Sequence, residues 1–200
     1  MTFDEIKNKL ALCKVGIAGA GGLGSNCAVA LVRAGLGKLI IADFDVVNLS
    51  NLNRQYYFSD QVGMKKVEAL TVNLLRINLH LELQAIDKKL YAEDIATYFI
   101  DCDVIVEAFD DKEQKQMLIE TVIEYLPKTP LVIGTGMAGW GDNNSIKTEQ
   151  YDNIYVCGDQ VAEVDDNLPP LGPRVGVVSN MQANQVLEIL LGKMPTKSVN

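Results

Sequence analysis

The chain has 200 residues, 48% hydrophobic and 22% charged, a composition that suits one soluble α/β domain with its own core. Its net charge of −8 repels phosphate backbones, so nucleic acid is not expected as the main partner. No apolar run approaches the ~20 residues of a membrane span, so no membrane partner is expected either. Met1–Leu12 lacks the basic start and apolar stretch of a secretory signal.

In chain order, Met1–Leu12 reads as a charged amphipathic segment, an N-terminal helix within residues 1–13. Lys14–Ala18 is a short apolar run that stops at glycine, the pattern of a buried strand. Leu23–Ala34 reads as a helix, with Gly35 placed to end it in a left-handed conformation. Lys38–Ala42 is a second buried strand, closed by Asp43. Residues 43–60 form a polar stretch too long for an ordinary connection, and such loops are more often functional than idle. Lys65–Ile77 has helical periodicity, His80–Ile86 alternates as a strand, and Ala92–Phe99 is a short helix.

Asp103–Ala108 reads as a further strand, Lys112–Tyr125 as a helix stopped at Pro127, and Leu131–Gly134 as another buried strand. Gly141–Asn144 makes a turn, followed by short strands at Ser145–Gln150 and Asn153–Val156. The acidic, proline-bearing stretch 158–174 is expected to be a flexible crossover, and Val175–Leu191 returns to a helix ending at Gly192. This β-α-β-α order predicts a Rossmann-like, doubly wound, mainly parallel α/β sheet. A small antiparallel extension falls near its C-terminal part, and residues 1–200 read as one domain.

Between the first predicted strand and helix, Ala18–Ser25 contains GxGxxG at Gly19, Gly21 and Gly24, with Gly22 beside them. Glycines there allow a tight turn, backbone approach to phosphate and close helix packing, while free amides at the helix start attract the anion. Asp43 follows Gly24 by 19 residues at the end of the next strand, where an acid can bond a ribose hydroxyl. The motif alone reads as an adenine nucleotide or dinucleotide site, with a nicotinamide or flavin enzyme as the default.

The next segment changes that reading. Asp43–Gln55 concentrates Asp43, Asp45, three asparagines and Arg54 beyond the carboxyl end of the second strand, the edge that borders the ligand crevice in such sheets. Arg54 has the planar fork suited to a triphosphate, Asn51 can bond ribose or phosphate oxygens, and Lys66 opens the next helix with a movable charge. A triphosphate losing pyrophosphate uses two cations here; hydride transfer has no evident need of them.

AGAGGLGSN, then DFDVVNLSNLNRQ, VGMKKVEAL, VIVEAFDD and PRVGVVSNMQANQVLEILLG resemble the ThiF/MoeB family, relatives of the ubiquitin-activating enzymes. The likeness covers nearly the whole chain and is strongest to short ThiF proteins. It implies adenylation, by MgATP, of the C-terminal Gly-Gly carboxylate of a ubiquitin-like sulfur carrier protein in thiamine biosynthesis. It implies Asp43 on ribose, Asn51, Arg54, Gln55 and Lys66 on ATP, and Asp110 on Mg²⁺, with Lys65 and Asp111 as neighbouring alternatives. A homodimer is a family expectation. Asp110 also reads as a possible helix cap before Lys112, Arg54 as a possible partner of Asp43 or Asp45, and Lys66 as a possible solvated helix lysine.

The sequence also departs from the family. Many relatives hold zinc through two CxxC pairs; Cys13, Cys27, Cys102 and Cys157 form none, so no zinc is expected. Without an export signal, the expected setting is a reducing cytoplasm with free thiols. Cys13, Cys27 and Cys102 read as buried packing, and Cys157 as a loop thiol beside the crossover, the one candidate for thioester chemistry. The N-terminal segment offers Lys7, Lys9 and Lys14 where longer relatives lend an arginine to the partner subunit's ATP. Arg174 is a candidate contact to the carrier, and His80 has no expected role. Alternatives are a related enzyme activating a molybdopterin-type carrier or dehydrating tRNA, and a catalytically silent nucleotide-binding subunit.

Overall fold

A computed structural model describes residues 1–162, 164–165 and 167–193. Along the chain run α1 (Phe3–Leu10), β1 (Lys14–Ala18), α2 (Gly22–Ala34), β2 (Lys38–Asp43), α3 (Lys66–Leu75), β3 (Glu82–Asp87) and α4 (Ala92–Tyr98). Then come β4 (Val104–Glu107), α5 (Lys112–Tyr125), β5 (Leu131–Gly134), β6 (Lys147–Tyr151), β7 (Ile154–Gly158) and α6 (Gly172–Leu191). The strands form one sheet in the order β3-β2-β1-β4-β5-β7-β6, parallel throughout except for the antiparallel β6–β7 pair.

The aliphatic runs of β1, β2, β4 and β5 are continuous rather than alternating because helices cover both faces of the central sheet. On one face α2, α3 and α6 pack over Val15, Ile17, Leu39 and Val132. On the other, α4 and α5 bury Ile95, Leu118 and Val122 against Ile105 and Leu131. The outer strands are polar instead. β6 exposes Lys147, Thr148 and Gln150, the charged edge that discourages further strand pairing. Between β1 and β4 the strand order changes direction, and the carboxyl ends there border the crevice where such sheets bind ligands.

The boundaries shift where local turn chemistry overrides periodicity. Gly35 ends α2 with φ 111°, as its position predicts. α6 begins at Gly172 rather than Val175, because Pro173 is tolerated in a first turn whose N–H groups lack helical partners. A 3-10 turn at Asn143–Ser145 takes the place expected for the start of β6. β7 extends to Gly158, which pairs with Lys147 at the start of β6. His80 lies in an exposed turn before β3 instead of on the strand.

The long 43–60 stretch is folded by polar bonds as much as by apolar contact. Gln61 and Asn73 exchange carboxamide hydrogen bonds at 2.9 and 3.0 Å, and Asn73 also donates to Tyr56 O at 3.0 Å. A buried, mutually satisfied pair of this kind gives a loop a single conformation.

Cys157 is a correction to the sequence reading. It sits in β7 and is fully buried, 3.6 Å from the Thr148 hydroxyl, rather than in a loop. Burial raises its pKa, so little thiolate is available for attack. Burial likewise raises Cys27 and pushes Cys102 up to about 12, whereas Cys13 is only half-buried. Native protein treated with iodoacetamide at neutral pH is expected to leave Cys157 unmodified, and denaturant is expected to expose it. Rapid native labelling, read by mass spectrometry, would return Cys157 to the list of reactive thiols.

Candidate active site

The β1–α2 turn is shaped by what surrounds it. Gly19 adopts φ 103°, and a Cβ there would meet Ala108 O at 2.6 Å; a Cβ at Gly24 would lie 1.8 Å from Gly19 O. Both positions are therefore closed to side chains by the protein itself. Gly21 is different: a Cβ there would meet only Gln55 Nε2, at 3.9 Å, and the residue faces an open cleft. Packing does not require glycine at that point, and the bare backbone leaves the cleft open to close approach at this turn.

Asp43, the last residue of β2, locks this turn to the next strand. Its Oδ2 accepts from Ala20 N at 2.7 Å and its Oδ1 from Asp45 N at 2.8 Å. Burial raises the Asp43 pKa above the usual carboxylate value, with Lys66 and the two amides opposing. Tyr57 donates to Ala20 O at 2.7 Å from the opposite side of the turn. The Asn26 carboxamide donates to Gly22 O at 2.7 Å and to Arg54 O at 2.8 Å, joining the glycine turn directly to the 43–60 loop.

These elements enclose a cleft of about 440 Å³, within the roughly 300–1,000 Å³ of small-molecule sites. Gly19, Gly21, Gly22, Asp43, Asp45, Arg54, Gln55, Lys66 and Asp110 all line it. Arg54 donates from Nη1 to Ser50 O at 3.2 Å and to Asn53 Oδ1 at 2.9 Å, and has no ion pair among the described residues. Lys66, 5% exposed at the start of α3, reaches Asp45 Oδ2 at 2.7 Å. Its neighbour Lys65 turns away to Asp87 at 3.4 Å, so of these two it is Lys66 that lies on the cleft wall. Asp111 caps α5, accepting from Gln114 N at 2.8 Å, which leaves Asp110 outside the capping role. Gln55 is buried, and among the described residues its Oε1 has no hydrogen-bond partner.

Two proposed site residues are not on the wall. Gly24 serves helix packing, as its contact with Gly19 shows. Asn51 accepts from Asn48 N at 2.9 Å through Oδ1, and its carbonyl accepts from Arg54 N and Gln55 N. It thus holds the loop that presents Arg54 and Gln55. Of the N-terminal lysines, Lys7 packs on Gly35, Lys9 reaches Leu191 O at 3.5 Å and Lys14 starts β1; none lines the cleft of its own chain.

Arg174 is a further correction. It is buried, donating to Gly136 O at 3.0 Å and Gly141 O at 2.7 Å and pairing with Asp159, so it is not displayed to a partner.

Several wall residues carry no motif and escaped the sequence reading. Phe44, Lys88, Lys89 and Leu90 line the cleft beyond β2 and β3. Lys89 Nζ lies 5.9 Å from the centre of the Phe44 ring, and Lys88 pairs with Asp94 at 2.6 Å. The available signal was two basic residues directly after a parallel strand, the end at which such sheets bind ligands. Glu107 was also missed. Fully buried in β4, it pairs with Lys115 and accepts from Phe109 N at 2.8 Å, bracing the turn that carries Asp110. Burial raises its pKa against the pull of Lys115.

Among the described residues no three His, Cys, Asp or Glu side chains converge to hold a metal ion, and no helix is long and apolar enough to cross a membrane.

Comparison with known proteins agrees with this architecture. The molybdopterin-synthase adenylyltransferase of Escherichia coli (strain K12) is 30% identical over 184 residues, 90% of this chain and 73% of that protein. The sulfur carrier protein ThiS adenylyltransferase of the same organism is 29% identical over 197 residues, 93% of this chain and 75% of that protein. The structure of E. coli tRNA N6-threonylcarbamoyladenosine dehydratase in complex with ATP shares the fold with a TM-score of 0.84 at 20% identity, covering 94% of this chain and 89% of that one. The ThiF family model matches residues 2–200. The chain thus belongs to the ThiF family and is an enzyme of the adenylyltransferase class.

Proposed function

We propose that this enzyme adenylates the C-terminal Gly-Gly carboxylate of a ubiquitin-like sulfur carrier protein with ATP, releasing pyrophosphate. The observation that carries the reading is convergence. Gly21, Asp43, Arg54, Lys66 and Asp110 come from four separate stretches of sequence and line one cleft. Relatives named as adenylyltransferases of ThiS and of molybdopterin synthase support the substrate class. A carrier of thiamine biosynthesis remains our reading, with a molybdopterin-type carrier as the second. The same reading includes a homodimer.

The reaction asks little covalent chemistry of the protein. A carboxylate is already ionised at neutral pH, so its oxygen attacks the α-phosphorus without a general base, and pyrophosphate departs. Alignment and charge neutralisation then set the rate. The glycine turn and the amides at the start of α2 cradle the phosphates, and the remaining lone pairs of Asp43 take ribose hydroxyls. Arg54, held by Ser50 and Asn53 rather than by a carboxylate, is free to face developing charge. Lys66 is oriented by Asp45. Gln55 brings its carboxamide Nε2, a donor, closest to Gly21 on the cleft wall.

Asp110 fits a magnesium ion, which binds through one or two carboxylates plus phosphate oxygens and needs no all-protein cage. When bound, Mg²⁺ would offset phosphate charge. Asp110 and the triphosphate would hold it. The net charge of −8 disfavours the tRNA alternative. A silent subunit has no use for Arg54, Lys66 and Asp110 gathered in one place.

The deciding measurement is exchange of labelled pyrophosphate into ATP, with Gly-Gly-tailed carriers added singly. Exchange that depends on a carrier is the expected result and identifies it. Bound ATP without exchange for any carrier would favour the silent subunit.

A further inference from the structure

Met137, Pro170 and Val175 form a part of the cleft wall that is held in place by a polar knot behind it. Arg174, buried in the first turn of α6, ties three other stretches of chain together. Its Nε donates to Gly136 O at 3.0 Å, its Nη1 to Gly141 O at 2.7 Å, and its Nη2 pairs with Asp159. Asp159 Oδ1 accepts in turn from the amides of Val161 and Ala162, each at 2.9 Å. A Cβ at Gly136, where φ is 65°, would lie 1.8 Å from Asp159 Oδ1, so the pair closes only because that position carries no side chain.

The tied residues adjoin the wall directly. Gly136 precedes Met137, Arg174 precedes Val175, and Ala138 and Gly139 bridge to Pro170, with Gly139 N donating to Pro169 O at 3.0 Å. All three guanidinium nitrogens are engaged within the chain, so Arg174 acts through this wall and not by touching a ligand.

We propose that Arg174 and Asp159 are positioning residues for the carrier's tail, fixing the Met137–Pro170–Val175 wall along which an extended C-terminal segment reaches the α-phosphate. This rests on the function proposed above. In the function proposed above the nucleotide takes the glycine turn, Arg54 and Lys66, which belong to other elements, although Val175 packs against Gly22. Loss of the knot is therefore expected to weaken use of the carrier far more than binding of ATP.

Removing one partner alone would strand a buried charge, so the principal variant changes both. Asp159→Asn keeps an acceptor for the Val161 and Ala162 amides, and Arg174→Met keeps the buried volume without its donors. The full-length double variant is compared with wild type in pyrophosphate exchange, using the carrier that supports wild-type exchange, and in calorimetric ATP binding. The expected result is a fall of about 10²-fold in kcat/KM for the carrier, the cost of a wall misplaced by about 1 Å. Most of that fall should appear as a raised carrier KM, with ATP affinity changed no more than about 3-fold.

Arg174→Lys keeps the charge opposite Asp159 but not the bonds to both carbonyls, and is expected to fall between the two. It carries the same criteria alone if the double variant does not fold by circular dichroism. Wild-type carrier kinetics in a folded variant, or equal losses for ATP and carrier, would overturn the assignment. A wild-type enzyme that exchanges with no Gly-Gly carrier at all refutes the function itself, and this inference with it.

Discussion

Arg54→Ala is expected to reduce carrier-dependent pyrophosphate exchange by about 10³-fold or more, the order seen when a cation is removed from a transferring phosphoryl group. The geometry explains why the loss should be catalytic and not structural. The guanidinium bonds only Ser50 O and Asn53 Oδ1 in its own loop and has no ion pair among the described residues. Its removal leaves no buried charge unpaired, and costs the fold no more than about 1 kcal/mol. The loop itself is held by other contacts, among them the Asn26 bond to Arg54 O and the Gln61–Asn73 pair. Near-normal melting temperature with exchange abolished is the predicted pattern. Near-wild-type exchange in this variant would falsify the role given to Arg54.

Asp110→Asn is the second large effect. Exchange is expected to fall by about 10²–10³-fold, equivalent to the several kcal/mol a metal's charge contributes at a transferring phosphate. The Mg²⁺ concentration giving half-maximal exchange is expected to rise with it, because a neutral amide is a poorer ligand for a hard cation. Asp111 supplies the internal control. It caps α5 through Gln114 N, so Asp111→Asn should preserve both cap and exchange, while Asp111→Ala should cost about 1 kcal/mol of stability. An Asp110→Asn enzyme with unchanged Mg²⁺ dependence and unchanged rate would remove the metal from this carboxylate. Reversed behaviour of the two aspartates would transfer the role to Asp111.

Alternation and glycine placement made most of the fold legible, because in a doubly wound sheet the central strands are continuous aliphatic runs and each turn needs its own punctuation. Gly35 and the strands ending at Ala18, Asp43 and Gly134 follow that rule. The rule fails where pairing across the sheet decides instead. Cys157 looked like a loop thiol because β7 is short and polar neighbours follow it, yet parallel pairing with β5 draws it inward, opposite Gly134. Arg174 looked available to a partner because local sequence does not reveal Asp159 or the carbonyls of Gly136 and Gly141, 15 to 38 residues away.

The residue types of the site and their order along the chain were determined by the sequence alone. A glycine turn after a strand, an acid at the end of the next one and an arginine-bearing polar loop have few compatible uses together. Tertiary structure separated the neighbouring alternatives. Lys66 lines the cleft while Lys65 answers Asp87; Asp110 and Asp111 both line it, but only Asp111 is engaged as a helix cap; and Asn51 shapes a loop instead of joining the wall. The physical reason is that successive residues at a helix start point in different directions, and only the packing of the helix on the sheet fixes which direction meets the crevice.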